Sequence, residues 1–496
     1  MKQIEAIDLT RRSILMGGGS LALSALLFGC RTQNTGNRNI GIDGNDYTIQ
    51  PPQTVATEIS LEASVNEVEI ASGRKVSAWT YGGQLPGQEI RVKQGERVRI
   101  NFKNNLPTDS SVHWHGIRQR GTNKMDGVPG VTQEAIQAGG SFVYDFLAEY
   151  PGTYFFHPHS GLQIERGLYA PLIVEAKTET LSYDREYTLV LDDWLDGSPD
   201  DVFDKLIGKK GASSMPGMNY LQMQMNMEAG ADVNYSTFLI NGRTPESPAE
   251  FAVKNGEKVR LRVINAAGST IFRFAVGGHK LTVTHADAFA VKPIEVDNVE
   301  IAPGERYDVV ITAKNVGAWI IAAMSTDEPT RGGKAILRYA EAQATSTPSA
   351  QIIPDEIKGQ KLNYRQLIAA DDVQTLASGE PNRRLEINLG GQMNPYQWTL
   401  NGKTFPAEPF EIRAGERVRV SLVNHSMMRH PMHIHGHSFS LLNGQNQLPL
   451  KDTVIVEPMM GKVAFDFLAD NPGDWVFHCH HAYHMGAGMM RVIKYV

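Results

Sequence analysis

The residues with the most chemistry in them are His478-Cys479-His480-His481-Ala482-Tyr483-His484, closed by Met489. On a β-strand, residues two apart share a face and the one between them points the other way. His478 and His480 therefore look to one side and Cys479 to the other. A soft thiolate, an imidazole from His484 and a long, weak thioether bond from Met489 need one further histidine to complete the ligand set of a blue-copper electron-transfer site. The opposite face offers two imidazoles to a second metal centre, so one short peptide can join two sites.

The remaining ligands are expected upstream, in His430-Pro431-Met432-His433-Ile434-His435-Gly436-His437. His433 and His435 are another same-face pair, and His430 lies across a proline expected to break the strand and turn it toward Cys479. Two more pairs occur in His113-Trp114-His115-Gly116 and His157-Pro158-His159-Ser160. One such pair reads most simply as a polar strand or a satisfied core histidine. Four pairs beside a Cys-His-Met constellation use ten of the 15 histidines and read as metal sites.

The elements that position these residues follow from an internal repeat. Gly95-Glu96-Arg97-Val98-Arg99, Gly256-Glu257-Lys258-Val259-Arg260 and Gly415-Glu416-Arg417-Val418-Arg419 are one pentapeptide met three times. Each leads through alternating residues to an asparagine (Asn104, Asn265, Asn424), and then to His113, Phe274 and His433. Gly152, Gly317 and Gly473 likewise lead to His157, Ala322 and His478. Three homologous domains follow, the middle one without ligands. In the first, Ser110, Pro158, Gln163 and Leu168 stand where the third has His430, Cys479, His484 and Met489. The first domain therefore offers imidazole pairs but no blue site, and a cluster must be shared between domains one and three. Short alternating segments with Pro/Gly turns predict an all-β chain of three Greek-key β-sandwiches. Little of the chain reads as helix, and a helical piece is expected around Pro199–Ile207.

At the N-terminus, Thr10-Arg11-Arg12-Ser13-Ile14-Leu15 is a twin-arginine pattern, followed by an apolar run to Phe28 that is too short and glycine-rich to span a membrane. Leu27-Phe28-Gly29-Cys30 resembles a lipoprotein cleavage box, apart from the bulk of Phe28, so a lipid on Cys30 is the expected membrane attachment. The chain has 2 cysteines. With Cys30 lipidated or removed, Cys479 is the one thiol left and no intramolecular disulfide is possible. Residues 31–53 read as a tether, and the domains are expected at 54–178, 184–342 and 362–496. A net charge of −6 argues against nucleic acid as a partner and is compatible with attracting cations.

These motifs resemble the bacterial three-domain multicopper oxidases, the family of laccases and cuprous oxidases, and are most similar to its exported copper-resistance members. The resemblance runs from about Thr54 to Val496. It implies cupredoxin-like domains, four coppers, O2 as electron acceptor and a monomer. It also implies His430, Cys479 and His484 on a type 1 copper, with Met489 axial and Met490 its rival. His113 and His433 would bind the type 2 copper, and His115, His157, His159, His435, His478 and His480 the type 3 pair. Asp126 resembles the acid that in this family lies by the type 2 copper; its plainer reading is an Asp-Gly turn.

Met215, Met218, Met223, Met225 and Met227 crowd thirteen residues of the second domain, and Met427 and Met428 precede His430. Thioethers select Cu(I), whereas an irregular core would use them as flexible filler. The polar residues between them favour copper handling. The expected activity is a cuprous oxidase that also oxidises phenols. A laccase-like phenol or amine oxidase and a non-enzymatic copper sink are the alternatives.

Overall fold

The computed structural model describes residues 57–209, 232–342, 346–376 and 379–496. The leader with Cys30, the tether and the methionines from Met215 to Met227 lie outside the described residues. Six sheets form three sandwiches. The first packs a four-stranded sheet containing Thr57–Ala71 and Arg97–Asn105 on another holding His113–His115 and Gly152–His157. The second and third each pair a six-stranded sheet with a five-stranded one. In all three, the opening strand lies parallel to the strand that follows the Gly-Glu turn, so Thr57–Ala71, Arg185–Trp194 and Arg383–Met393 play one role.

The pentapeptide recurs because its residues do the same work each time. Gly95, Gly256 and Gly415 sit at φ of +82°, +92° and +82°, a backbone region open to glycine and strained for other residues. The glutamate that follows accepts a backbone N–H three residues earlier: Lys93 N at 3.0 Å for Glu96, Lys254 N at 2.9 Å for Glu257 and Arg413 N at 2.9 Å for Glu416. The asparagines are buried clamps. Asn104, Asn265 and Asn424 each donate through Nδ2 to two carbonyls, and each accepts through Oδ1 from the backbone two residues on. They fix the chain as it crosses to the second sheet, where the ligand strand begins.

One helix, Pro199–Leu206, forms where expected. Ser198 caps it by accepting from Asp201 N, proline opens it, and Asp200 and Asp201 complement its dipole. No helix among the described residues is long and apolar enough to cross a membrane. We propose the domain limits 54–178, 184–342 and 362–496. Residues 362–376 are then a lead-in that runs along the second domain, bridging at Val291↔Ala369, before the first strand of the third, Arg383–Met393.

Candidate metal centre

The strand His430–Ile434 lies between Asp474–Cys479 and Thr453–Val456. Pro431 does not break it. The Pro431 carbonyl accepts from His480 N at 2.6 Å, and the reciprocal N–H bond that proline cannot make is lost just past the end of Asp474–Cys479, while pairing with Thr453–Val456 continues through Pro431↔Ile455. Plain alternation then separates the histidines: His430 shares a face with Met432 and turns to Cys479, while His433 faces the other way.

On the first face, His430 Nδ1, His484 Nδ1 and Cys479 Sγ converge at 3.1 Å between the two nitrogens and 3.6 Å from each nitrogen to sulfur. A triangle of that size leaves its centre about 2 Å from each corner, a metal–ligand bond length. All three residues are buried. Met489 is buried in the same cluster and its carbonyl accepts from Cys479 N at 3.0 Å, whereas Met490 opens a strand opposite His478. Burial lowers the basicity of both imidazoles and pushes the Cys479 thiol well above its usual range, so this space is built for a cation that displaces the thiol proton.

The outer nitrogens of this pair are held. His430 Nε2 meets Ser426 Oγ at 2.8 Å, and His484 Nε2 meets Asp232 Oδ2 at 2.8 Å, an oxygen that also accepts from the Tyr396 hydroxyl at 2.5 Å. The Trp398 ring covers His484 at 4.0 Å, and His481 stacks on its other side at 3.7 Å.

On the second face eight imidazoles meet. Nε2 of His478 lies 3.0 Å from Nε2 of His435 and 3.3 Å from Nε2 of His159, while Nε2 of His480 lies 3.3 Å from Nε2 of His157. His113, His433 and His435 bring donor atoms within 4.8 Å of one another, as do His113, His115 and His157. Backbone carbonyls fix the tautomers. Nδ1 of His113, His157, His433 and His478 donates to the carbonyls of Asp126, Pro158, Asp452 and Cys479, at 2.8, 3.0, 2.9 and 2.9 Å, which frees Nε2 as a lone pair. His113 Nε2, His433 Nε2 and His115 Nδ1 are buried with no hydrogen-bond partner. An orphaned polar atom costs about 1–3 kcal/mol, and three lone pairs turned inward are what metal ions would satisfy. Burial, then neighbouring imidazoles, keep His157, His159, His435 and His480 neutral.

Asp126 is fully buried, its Oδ2 accepting from His435 Nδ1 at 2.8 Å and its Oδ1 standing 3.3 Å from His113 Nδ1. The next residue, Gly127, has φ +86°, and a Cβ there would sit 1.9 Å from the Val112 carbonyl. Met428 is buried near His430 and Met427 is exposed.

Four residues escaped the sequence reading. Asp232 grips His484, and Arg306 of the second domain forms a two-pronged ion pair with Asp452 at 2.6 and 2.7 Å while donating to the Thr153 carbonyl of the first domain at 3.0 Å. Asp452 lies 3.4 Å from His115 Nε2 and 3.5 Å from His433 Nδ1. Gly304, also of the second domain, backs onto His115 and His480 so closely that a Cβ would meet both rings at 2.9 Å.

Comparison with known proteins agrees with this geometry. Family profiles described as multicopper oxidase match residues 62–179, 185–342 and 379–496. The multicopper oxidase MmcO of Mycobacterium tuberculosis is 39% identical over 86% of this chain and 84% of its own length. The copper resistance protein A homolog of Pseudomonas syringae pv. tomato is 30% identical over 90% and 93%. The laccase structure from Botrytis aclada superposes with a TM-score of 0.74 at 26% identity, covering 92% of this chain and 90% of that one. With three sandwiches, clustered histidines contributed by the outer two and a donor set that fits copper, this chain belongs to the multicopper oxidase family, and copper is its cofactor.

Proposed function

We propose that, within this family, the chain is an exported cuprous oxidase that also oxidises phenols. Four Cu(I), one O2 and four protons give four Cu(II) and two waters, so electrons enter singly and leave together. His430, Cys479, His484 and Met489 would hold the type 1 copper. His113 and His433 would hold type 2, and His115, His157, His159, His435, His478 and His480 the type 3 pair. Bound copper supplies a one-electron acceptor at the first site and a store of electrons for O2 at the second.

The protein's own groups set the rest. The Cys479 peptide joins the two sites through its bonds to His478 and His480. Asp126 orients His435, and its Oδ1, which makes no hydrogen bond, can hold a proton beside the cluster. Asp232 and Tyr396 fix the His484 ring.

The observation that carries the donor is Asp232. Its buried carboxylate accepts from the outer nitrogen of His484, a type 1 ligand in this reading, and it follows five residues after Met227, so the soft-donor segment leads directly into that ligand's partner. The reading includes twin-arginine export, residence in the periplasm or cell envelope through a lipid on Cys30, and a monomer.

Steady-state oxygen uptake by copper-loaded protein tests it, with Cu(I) and 2,6-dimethoxyphenol as separate donors. Uptake with both is expected, and leucine at Met215, Met218, Met223, Met225 and Met227 should raise the apparent KM for Cu(I). Turnover of the phenol alone would make the protein laccase-like. No uptake with either would make it a copper sink.

A further inference from the structure

Eight large apolar side chains are exposed among the described residues, and three of them are methionines, Met427, Met459 and Met460, at 70%, 67% and 54%. The turns that carry them lie side by side although Met427 and Met459 are far apart in sequence. Met459 N donates to the Ser426 carbonyl at 3.0 Å and Met460 N to the Asn424 carbonyl at 2.7 Å, zipping the turn that carries Met427 to the turn that carries the other two.

Packing does not explain this patch, because these side chains are in water. Backbone preference does not explain it either. Met459 and Met460 adopt φ of +52° and +69°, a conformation suited to glycine or asparagine and uncommon for other residues. Two consecutive methionines held there, with both thioethers in solvent, are a local conflict of the kind that marks a functional position.

Their place in the fold says which function. Ser426, to whose carbonyl Met459 is bonded, meets His430 Nε2 through its own hydroxyl at 2.8 Å. The patch is thus one residue away from the outer nitrogen of a type 1 ligand, with the buried Met428 beside it. Thioether sulfur prefers Cu(I) to Cu(II) and to the harder divalent ions.

We propose that Met427, Met459 and Met460 form a Cu(I) capture site on the surface of the third domain, feeding the ion toward His430. The site rests on the cuprous-oxidase reading for its use. After oxidation, Cu(II) is a poorer match for thioether donors, so the same chemistry favours release of product.

Two variants of the copper-loaded enzyme test the site. Met459→Leu/Met460→Leu keeps bulk and removes sulfur; Met459→Asn/Met460→Gly removes sulfur and relieves the backbone. Anaerobic competition with bicinchoninate measures Cu(I) affinity directly, the type 1 blue absorption reports an intact centre, and oxygen uptake gives KM for Cu(I). Both variants should bind Cu(I) about tenfold more weakly, the scale on which metal sites answer to lost partners, with KM raised in step and blue absorption retained. The Asn/Gly variant should also melt at a higher temperature than the parent, the signature of a turn strained for function. Unchanged Cu(I) affinity in both variants would overturn the site, and so would a weaker affinity that appears only together with loss of blue absorption. If the parent binds Cu(I) through these residues but does not oxidise it, the cuprous-oxidase reading fails and the capture site stands.

Discussion

The second and third domains share one plan and differ in what they do with it. Both set a six-stranded sheet against a five-stranded one, and both carry a buried asparagine clamp before the next-to-edge strand of the smaller sheet. In the third domain that strand presents His430 and His433. In the second the same position presents Phe272, Phe274 and Val276, all buried in apolar core. The second domain nonetheless reaches the copper-binding region from behind: Gly304 supports two histidine rings, Arg306 neutralises Asp452, and Asp232 holds His484. A repeat that loses its ligands can thus keep its place by supplying the frame. Ligand residues set which metal chemistry is available, and frame residues set where the ligands point and how much charge surrounds them.

The largest effect should come from the ligand side of this comparison. Cys479→Ser removes the one thiolate among the described residues, so the blue absorption should vanish and turnover with either donor should fall to background. Copper on His113 and His433 should still give a paramagnetic signal. Persistence of the blue band would show that Cys479 is not the type 1 ligand.

The frame comes next. Arg306→Met leaves Asp452 buried beside His115 and His433 without its cation. Breaking a buried pair by removing one partner costs about 3–5 kcal/mol, and Asp452 is held well below its usual range chiefly by that guanidinium working against burial. Calorimetry should show a lower melting temperature, and copper analysis a cluster that fills less completely while the blue site keeps its copper. A variant with full copper content and unchanged melting would reduce the second domain to a spacer.

What the sequence made legible divides along the same line. The clustering of these histidines and Cys479 could be read because strand alternation and histidine spacing are local, and the three-domain plan because the Gly-Glu turn and the asparagine clamp each need one residue type at one place. Frame residues could not be read this way. Arg306 and Asp452 lie far apart in the chain, and nothing local distinguishes an arginine that will meet a distant aspartate from one that will meet solvent. Pro431 differs in kind: by its local rule a proline can break a strand, but here it forgoes one ladder bond at the end of its partner and the strand runs through it.

Gly304→Ala is a finer probe of the frame. The position has φ +87°, and an added methyl would stand 2.9 Å from His115 Cε1 and His480 Cδ2. Backbone strain and contact together should cost about 2 kcal/mol, with the rings pushed toward the copper ions. Lower copper content in the cluster with undiminished blue absorption is expected. Equal copper in both forms would mean that the rings yield freely and the close approach is incidental.

The smallest effect separates the two domains at a buried ion pair that both contain. Asp466 pairs with Arg417 and Arg419 in the third domain, and Asp308 with Arg260 and Arg262 in the second. Opposite Asp466 lies Ser440; opposite Asp308 lies His285, whose Nδ1 is 3.1 Å from Thr284 Oγ1 and 3.7 Å from Asp308. Burial lowers His285 to about 4, with Asp308 and Glu179 opposing and the two arginines assisting. Its unfolded value is about 6.5, so below that pH the unfolded chain binds the proton first. The stability contributed by neutral His285 is therefore whole above pH 6.5 and is lost progressively as pH falls toward 4. His285→Gln keeps the bulk without the titration. At pH 7.5 the variant should be equal to the parent or slightly less stable, and by pH 5.5 it should have gained about 1 kcal/mol relative to it. The copper ligands titrate alike in both proteins, so the difference in melting temperature between them isolates this one group. Parallel curves from pH 7.5 to 5.0 would mean that His285 keeps its proton balance on folding, and that the second domain is no more acid-sensitive here than the third.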